Sequence, residues 1–230
     1  MKNTLLASVV ALAAVLATAH PASAGVIVGN PADSNCYQFG CNDSGITSGQ
    51  SIEYQQVYAS SAFSGPINIT SLTFYDAITP GNVISGNYAI YLSTTSAAVG
   101  GLSTTLASNI GPDIALFFSG ALGGGPLSFT LSGTSFAYDP SVGNLLMDVI
   151  VTNQANVPNR SGNGGNDAGY TGTSRAINIP GILAYAGPAG LVTGFDVSAV
   201  PEPASLALLG AGLFGLGLIR RRRRVCGGPR

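Results

Sequence analysis

The chain has 230 residues, of which 46% are hydrophobic and only 8% are charged, and its formal net charge is −1. This total hides an asymmetry, because nine acidic residues and two basic residues lie between positions 25 and 200, where the net charge is −7. An acidic domain without a basic patch has nothing to neutralise phosphates, which excludes nucleic acid and anionic lipid headgroups as favourable ligands.

The N-terminus has the three parts of a secretory signal peptide. Lys2 supplies the positive charge, residues 5–19 form the apolar run, and Ala22-Ser23-Ala24 is a small-residue cleavage site. We expect signal peptidase to cut after Ala24, so that residues 1–24 are removed during export. A retained N-terminal anchor is the alternative, and it would leave the cleavage site unexplained. Cleavage removes the only lysine and the only histidine, His20, and with them the commonest general base and zinc ligand.

Residues 25–49 form an N-terminal segment that contains a small loop between Cys36 and Cys41. Only four residues separate the two cysteines, in an exported protein where disulfides persist, so we predict that they are bonded to each other. In the chain-entropy model a loop of this size contributes about 2 kcal/mol. A redox or metal role is the alternative, but the spacing is not C-x-x-C and the mature chain has no histidine.

Carboxylate and amide side chains recur in two stretches, around the cysteine loop and in the Gly/Asn-rich residues 153–174. Oxygen ligands of this kind suit calcium. Neither stretch has the EF-hand spacing or a nonapeptide calcium repeat, and the same residues are common in turns. We therefore expect no cofactor, with calcium as the alternative. The candidate ligands are Asp33, Asn35, Asn42, Asp43, Asn163, Asn166 and Asp167.

Residues 50–199 alternate apolar and polar positions with a period of two, which is typical of β-strands. Ile67 and Ile69 have one parity while Leu72 and Phe74 have the other, which predicts a bulge near Thr70-Ser71. Many short strands separated by turn residues predict an all-β domain, an antiparallel β-sandwich of jelly-roll type, with a barrel as the alternative. The predicted strands are 52–58, 67–74, 88–92, 114–118, 127–131, 135–138, 145–151, 176–179, 182–185 and 191–197, and residues 97–110 are left open as a loop, a short helix or an edge hairpin.

Catalysis would have to depend on carboxylates. Paired carboxylates hydrolyse glycosides without histidine, and Glu53 is the only glutamate before the C-terminal tail. Its possible partners are Asp76, Asp113, Asp139 and Asp148. No spacing singles out a pair, and Asp139 before Pro140 is better explained as the start of a turn. We therefore expect no enzymatic activity.

Tyrosines could form a platform that stacks on sugars, although tryptophan is absent. Tyr54, Tyr58, Tyr88 and Tyr91 fall within predicted strands, where tyrosines are more often half-buried packing residues. Glycan binding therefore stays an alternative to a purely structural role.

The C-terminus combines Pro201-Glu202-Pro203, an apolar run over residues 206–219 and a basic run from Arg220 to Arg224. With the two residues before it, the apolar run spans about 24 Å as a helix, short of a hydrocarbon core of about 30 Å. Snorkelling arginines extend its reach, so we predict one transmembrane helix, with Arg220, Arg221, Arg222, Arg223 and Arg224 held on the cytoplasmic side as a membrane stop. Residues 225–230, which include Cys226, would form a cytoplasmic extension.

These three parts in this order, over residues 200–224, resemble the PEP-CTERM sorting signal. The resemblance implies a Gram-negative host and an exosortase, a membrane protease that acts near Pro201, Glu202 and Pro203. It also implies an inner-membrane intermediate, release to the cell surface or outside the cell, and association with exopolysaccharide and biofilm. We therefore expect an exported structural or adhesive matrix protein, with a glycan-binding module as the alternative and a carboxylate glycosidase as the less favoured one.

Overall fold

In a computed structural model of the chain, the described residues are 24–40, 51–77, 81–155 and 166–199. The chain divides into two units, residues 1–199 and 200–230, and every described residue belongs to the first. The predicted signal peptide before Ala24, Cys41, the Pro-Glu-Pro motif, the apolar run, the arginine run and the extension 225–230 lie outside the described residues.

The described residues form thirteen β-strands and two short 3₁₀ helices. The helices are Ser60–Ala62 and Leu106–Asn109. The strands are β1 (Ala24–Val28), β2 (Asp33–Asn35), β3 (Ile52–Tyr58), β4 (Ile67–Phe74), β5 (Gly86–Thr95), β6 (Ala115–Leu122), β7 (Phe129–Tyr138), β8 (Asn144–Thr152), β9 (Asn166–Gly169), β10 (Thr173–Ile179), β11 (Leu183–Gly187), β12 (Gly190–Leu191) and β13 (Thr193–Ala199). The prediction of an all-β fold is confirmed for this part of the chain.

Three antiparallel sheets account for all thirteen strands. One has the order β1-β13-β4-β7, the largest has the order β11-β10-β3-β8-β5-β6, and a small sheet has the order β12-β9-β2. Successive strands frequently change sheet, since β3 and β5 lie in the six-stranded sheet and β4 lies in the four-stranded one. Residues 24–40, the described part of the predicted N-terminal segment, belong to this framework, because β1 pairs with β13 and β2 pairs with β9.

The two larger sheets pack face to face around one apolar core. Tyr58 of β3 meets Phe195 of β13 with ring centroids 5.0 Å apart, and its hydroxyl lies 2.9 Å from Oγ1 of Thr193. Phe39 packs against Phe74 of β4 and Tyr88 of β5, so residues before β3 also fill the space between the sheets. Each large apolar side chain buried in this way contributes about 1.5–3 kcal/mol to folding.

The predicted bulge in β4 is confirmed. The pairing of β4 with β13 shifts register, because the adjacent residues Asp196 and Val197 face Ser71 and Ile69 and leave Thr70 as the exposed extra residue of β4. Because the extra residue resets the alternation, Ile69, Leu72 and Phe74 are all fully buried despite their opposite parities.

Residues 97–110 are a loop that contains the second 3₁₀ helix, which agrees with two of the options left open. Leu102 and Leu106 of this loop pack with Val57, Leu146 and Ala176 on the outer face of the six-stranded sheet. We call residues 97–110 the cover segment.

The helices within the described ranges all lack the length and apolarity that a membrane crossing needs.

Candidate functional site

The cluster with the clearest binding chemistry surrounds Arg175 of β10. Its guanidinium carbon lies 5.9 Å from the ring centre of Tyr37 and 5.8 Å from that of Tyr185 in β11. At these distances each ring attracts the cation through its negative face. Among the described residues Arg175 is the only basic side chain, so the positive charge of this part of the chain is concentrated here.

Strand pairing explains the position of Tyr185. Arg175 is the partner of Gly187 in the antiparallel pair of β10 and β11. A Cβ atom at position 187 would lie only 2.1 Å from the Tyr185 hydroxyl oxygen, so glycine leaves the space into which the tyrosine folds back toward Arg175.

Tyr170 and Asp33 extend the cluster onto the small sheet. The Tyr170 hydroxyl donates a hydrogen bond of 2.7 Å to Oδ2 of Asp33, and the Ser34 amide donates to Oδ1. These two bonds, with a smaller effect of the Arg175 charge, lower the pKa of Asp33. The bond to Asp33 raises the pKa of Tyr170, so the hydroxyl stays protonated as a donor. We call Asp33, Tyr37, Tyr170, Arg175 and Tyr185 the tyrosine-arginine cluster.

The cluster is both exposed and incompletely satisfied. Tyr170 is 51% exposed and Tyr185 is 41% exposed. Nε and Nη1 of Arg175 are buried without a hydrogen-bond acceptor among the described residues, so the rings hold the guanidinium rather than a carboxylate. The arrangement offers apolar ring faces beside hydroxyl, carboxylate and guanidinium groups.

The tyrosines named from the sequence lie elsewhere. Tyr54, Tyr58 and Tyr88 are buried and Tyr91 is half-buried, as expected for packing residues. Strand periodicity missed Tyr170 and Tyr185 as surface aromatics. The available signal was their neighbours, since Ala-Gly-Tyr-Thr-Gly and Leu-Ala-Tyr-Ala-Gly contain few side chains large enough to cover a ring.

Of the candidate carboxylates, only Glu53 and Asp148 come together. Gln55, two residues after Glu53, is the direct partner of Asp148, so both acids lie on the outer face of neighbouring strands. Burial raises the pKa of Asp148 to about 7, with a further contribution from the Glu53 charge. Burial also raises the pKa of Glu53. Asp148 is only 3% exposed, and Asn109 of the cover segment donates a hydrogen bond of 2.8 Å to the neighbouring Gln55.

The other candidate carboxylates have separate local roles. Asp113 accepts a hydrogen bond of 2.7 Å from the Thr94 amide. Asp139 accepts bonds from the amide and hydroxyl of Ser141, which agrees with its interpretation as a turn residue. Asp76 forms an isolated antiparallel bridge with Asn166.

The two stretches that contained the candidate calcium ligands are brought together by the fold. In the pairing of β2 and β9, Asn35 faces Asn166 and Ser34 faces Asp167. The Asn35 side chain is already hydrogen-bonded and is not a free calcium ligand, because Nδ2 donates to Tyr54 and Ala189 and Oδ1 accepts from the Tyr37 amide. Asp33 is engaged by Tyr170. Asn42, Asp43 and Asn163 lie outside the described residues.

The processing and disulfide residues are only partly described. Cys36 is half-buried and disulfide-bonded, while its predicted partner Cys41 lies outside the described residues, so the pairing stays a prediction. Ala24, after which cleavage is predicted, is the first residue of β1, so the cut would leave Gly25 to Val28 paired with β13. Ala22 lies outside the described residues.

Comparison with known proteins places the chain among exported proteins that carry a C-terminal sorting signal. Residues 199–224 match the PEP-CTERM protein-sorting motif. The prediction of this motif is confirmed, and the chain is therefore an exported protein that an exosortase processes at the membrane on its way to the cell surface. No curated protein matches the chain, and no solved structure does.

Proposed function

We propose that the exported domain is a structural and adhesive component of the cell surface or extracellular matrix that holds exopolysaccharide through the tyrosine-arginine cluster. The observation that carries the proposal is the pair of exposed tyrosines beside the sole basic side chain of the described residues. The sorting motif supports an extracellular destination, where polysaccharide is the abundant polymer of a biofilm.

Sugars suit this cluster on chemical grounds. The C–H faces of a pyranose ring are apolar and pack against aromatic rings, while its hydroxyls need both donors and acceptors. Tyr170 and Tyr185 supply rings, the Tyr185 hydroxyl and the Arg175 guanidinium supply donors, and Asp33 supplies acceptor oxygens. An open surface of this kind binds one sugar unit weakly, but many copies along one polymer multiply the effect.

An adhesive role is favoured over the glycosidase because of where the carboxylate pair lies. Asp148 is beneath the cover segment, with Leu106 and Asn109 packed over the same face of the sheet. A glycoside would have to displace that segment to reach both acids. The adjacency of Glu53 and Asp148 is nonetheless the one observation that favours an enzyme, and release of reducing ends from the polysaccharide would reveal such an activity.

The test is retention of the exported protein on exopolysaccharide purified from the exporting strain. Tyr185→Ala and Tyr170→Ala are each expected to weaken retention about 5- to 10-fold, the loss of one aromatic contact. Arg175→Gln should weaken it as well. The matched control is Val142→Ala, which removes an apolar side chain that is 74% exposed in the turn before β8.

Equal retention of all four variants would rule out the tyrosine-arginine cluster as the binding site. Release of reducing ends that Glu53→Gln or Asp148→Asn abolishes would instead establish the glycosidase. Unchanged polymer length together with cluster-dependent retention is the expected result.

Three finer features belong to the same proposal. The order β1-β13-β4-β7 opposite β3-β8-β5-β6 supports a jelly-roll connection of the strands, with β10 and β11 as additions to one edge. The apolar residues 206–219 act as a temporary transmembrane helix before exosortase cleavage near Pro201–Pro203. The Cys36–Cys41 disulfide closes the loop that follows β2.

A further inference from the structure

Two buried oxygen atoms on adjoining segments lack a hydrogen-bond donor among the described residues. They are Oδ1 of Asp76, just after β4, and Oδ1 of Asn166 in β9. Asn166 is fully buried and forms an antiparallel bridge with Asp76. Bridge partners project from the same face with Cβ atoms about 4.5–5.5 Å apart, so one bound ion can reach both oxygens.

The orientation of the Asn166 amide follows from its other contacts. Its Nδ2 donates to the backbone oxygens of Leu127 at 2.7 Å and Tyr75 at 3.2 Å. Exchanging the amide oxygen and nitrogen would set three oxygens against one another, which is unfavourable. Oδ1 of Asn166 is therefore an acceptor, and a carboxylate oxygen beside it makes the local potential negative.

We propose that Asp76 and Asn166 bind a calcium ion that joins β9 to the end of β4. Calcium accepts mixed carboxylate, amide and backbone oxygens in flexible geometry, whereas magnesium requires a stricter octahedron. The net charge of −7 between residues 25 and 200 also favours a cation.

Weak binding is expected. No group of three Asp, Glu, His or Cys side chains within the described ranges could hold a metal. Water and backbone oxygens complete the shell around a single carboxylate, which corresponds to a Kd of about 10⁻⁴ to 10⁻³ M, as in other extracellular calcium modules.

The experiment compares the exported protein with Asp76→Asn and the control Asp113→Asn, after removal of divalent ions, by thermal unfolding and by calorimetric titration with CaCl2. For the wild type we expect Tm to rise by about 3 to 10 °C in 10 mM CaCl2 at constant ionic strength. Asp113→Asn should keep that rise. Asp76→Asn should lose it, and its calcium-free Tm should equal or exceed that of the wild type, because the new amide can donate to Oδ1 of Asn166.

A rise in Tm that is equal in all three proteins would overturn the site, since it would reflect general screening of the acidic charge. If the wild type gives no heat of binding in the titration up to 10 mM CaCl2, the calcium site is overturned whatever the variants show. A water molecule would then be the donor to the two oxygens. Because polysaccharide retention is measured separately, failure of this site leaves the proposed function standing.

Discussion

At the scale of single residues, Asp148 couples ionisation to folding. It lies in the middle of β8, opposite Gln55 of β3 and Tyr91 of β5, and its Oδ1 is buried without a donor among the described residues. Burial and then the Glu53 charge raise the pKa from 3.8 to about 7, while a bond from Gln55 opposes the rise. The folded state therefore holds a proton that the unfolded state releases near pH 4.

The sign of the pH dependence follows from that shift. Stability from the protonated Asp148 is fully present below about pH 4 and is lost as the pH rises to about 7. Asp148→Asn keeps the shape without the ionisation, so the variant should exceed the wild type by roughly 2 to 4 kcal/mol at pH 8 and by little at pH 4.

Urea unfolding at both pH values measures this difference. Glu53→Gln should have a smaller effect of the same sign, since the Glu53 charge is the second cause of the shift. Asp113→Asn, at an exposed carboxylate, is the control. A wild type and Asp148→Asn variant with parallel pH profiles would show that Asp148 is ionised in the folded protein.

At the scale of elements, the cover segment packs on the part of the outer face of the six-stranded sheet that contains Val57, Leu146 and Ala176. Asn109 fixes it by donating to Gln55 and to the Ser103 oxygen, while Leu106 is 3% exposed against Val57 and Leu146. The segment therefore supplies both the apolar contact and the burial that shifts Asp148.

Leu106→Ala should destabilise the domain by about 2–4 kcal/mol, because it removes a buried side chain and leaves a cavity. It should also flatten the stability loss between pH 4 and pH 7, since water then reaches Asp148. Val99→Ala in the same segment, at a side chain that is 36% exposed, should change the free energy of unfolding by less than about 0.5 kcal/mol. Urea unfolding measures the effects of both substitutions on the free energy of unfolding. Equal effects of Leu106→Ala and Val99→Ala would mean that the cover segment is not packed against the sheet.

At the scale of the whole molecule, the last described strand ends close to the sorting motif in the sequence. The first unit ends at Ala199, two positions before Pro201, and β13 is paired with β4 through Ala199. Two prolines favour an extended peptide and remove amide donors, so we expect a protease to be able to read the motif.

We expect the mature protein from a strain with exosortase to begin at Gly25 and to end near Pro201–Pro203. The protein from a strain without exosortase should keep the tail through Arg230. Intact-mass measurement of both distinguishes these forms, and a mass 2 Da below the reduced value would support the disulfide between Cys36 and Cys41. An uncut C-terminus in both strains would leave a permanently anchored protein.

The sequence by itself determined the C-terminal sorting motif, the all-β class and the bulge at Thr70, because each depends on order or period along the chain. Residues 201–203 and 220–224 are recognised as a linear pattern, and the parity change between Ile69 and Leu72 is local. The two segments 127–131 and 135–138 were expected as separate strands, yet the residues between them continue one strand, β7. Ser132 pairs with Ser71 of β4, while residues 133–135 lie at the register shift opposite Thr70, so β7 continues through an irregularity that local propensity does not reveal.

Only the tertiary structure decided which residues meet. Asp33, Tyr37, Tyr170, Arg175 and Tyr185 come from distant parts of the chain and are joined by the β2–β9 and β10–β11 pairings. The same holds for Asp76 with Asn166, and for Glu53 with Asp148. Long-range strand pairing depends on the total burial of both sheets rather than on spacing in the sequence, so periodicity identifies the strands but not the neighbours that their side chains acquire.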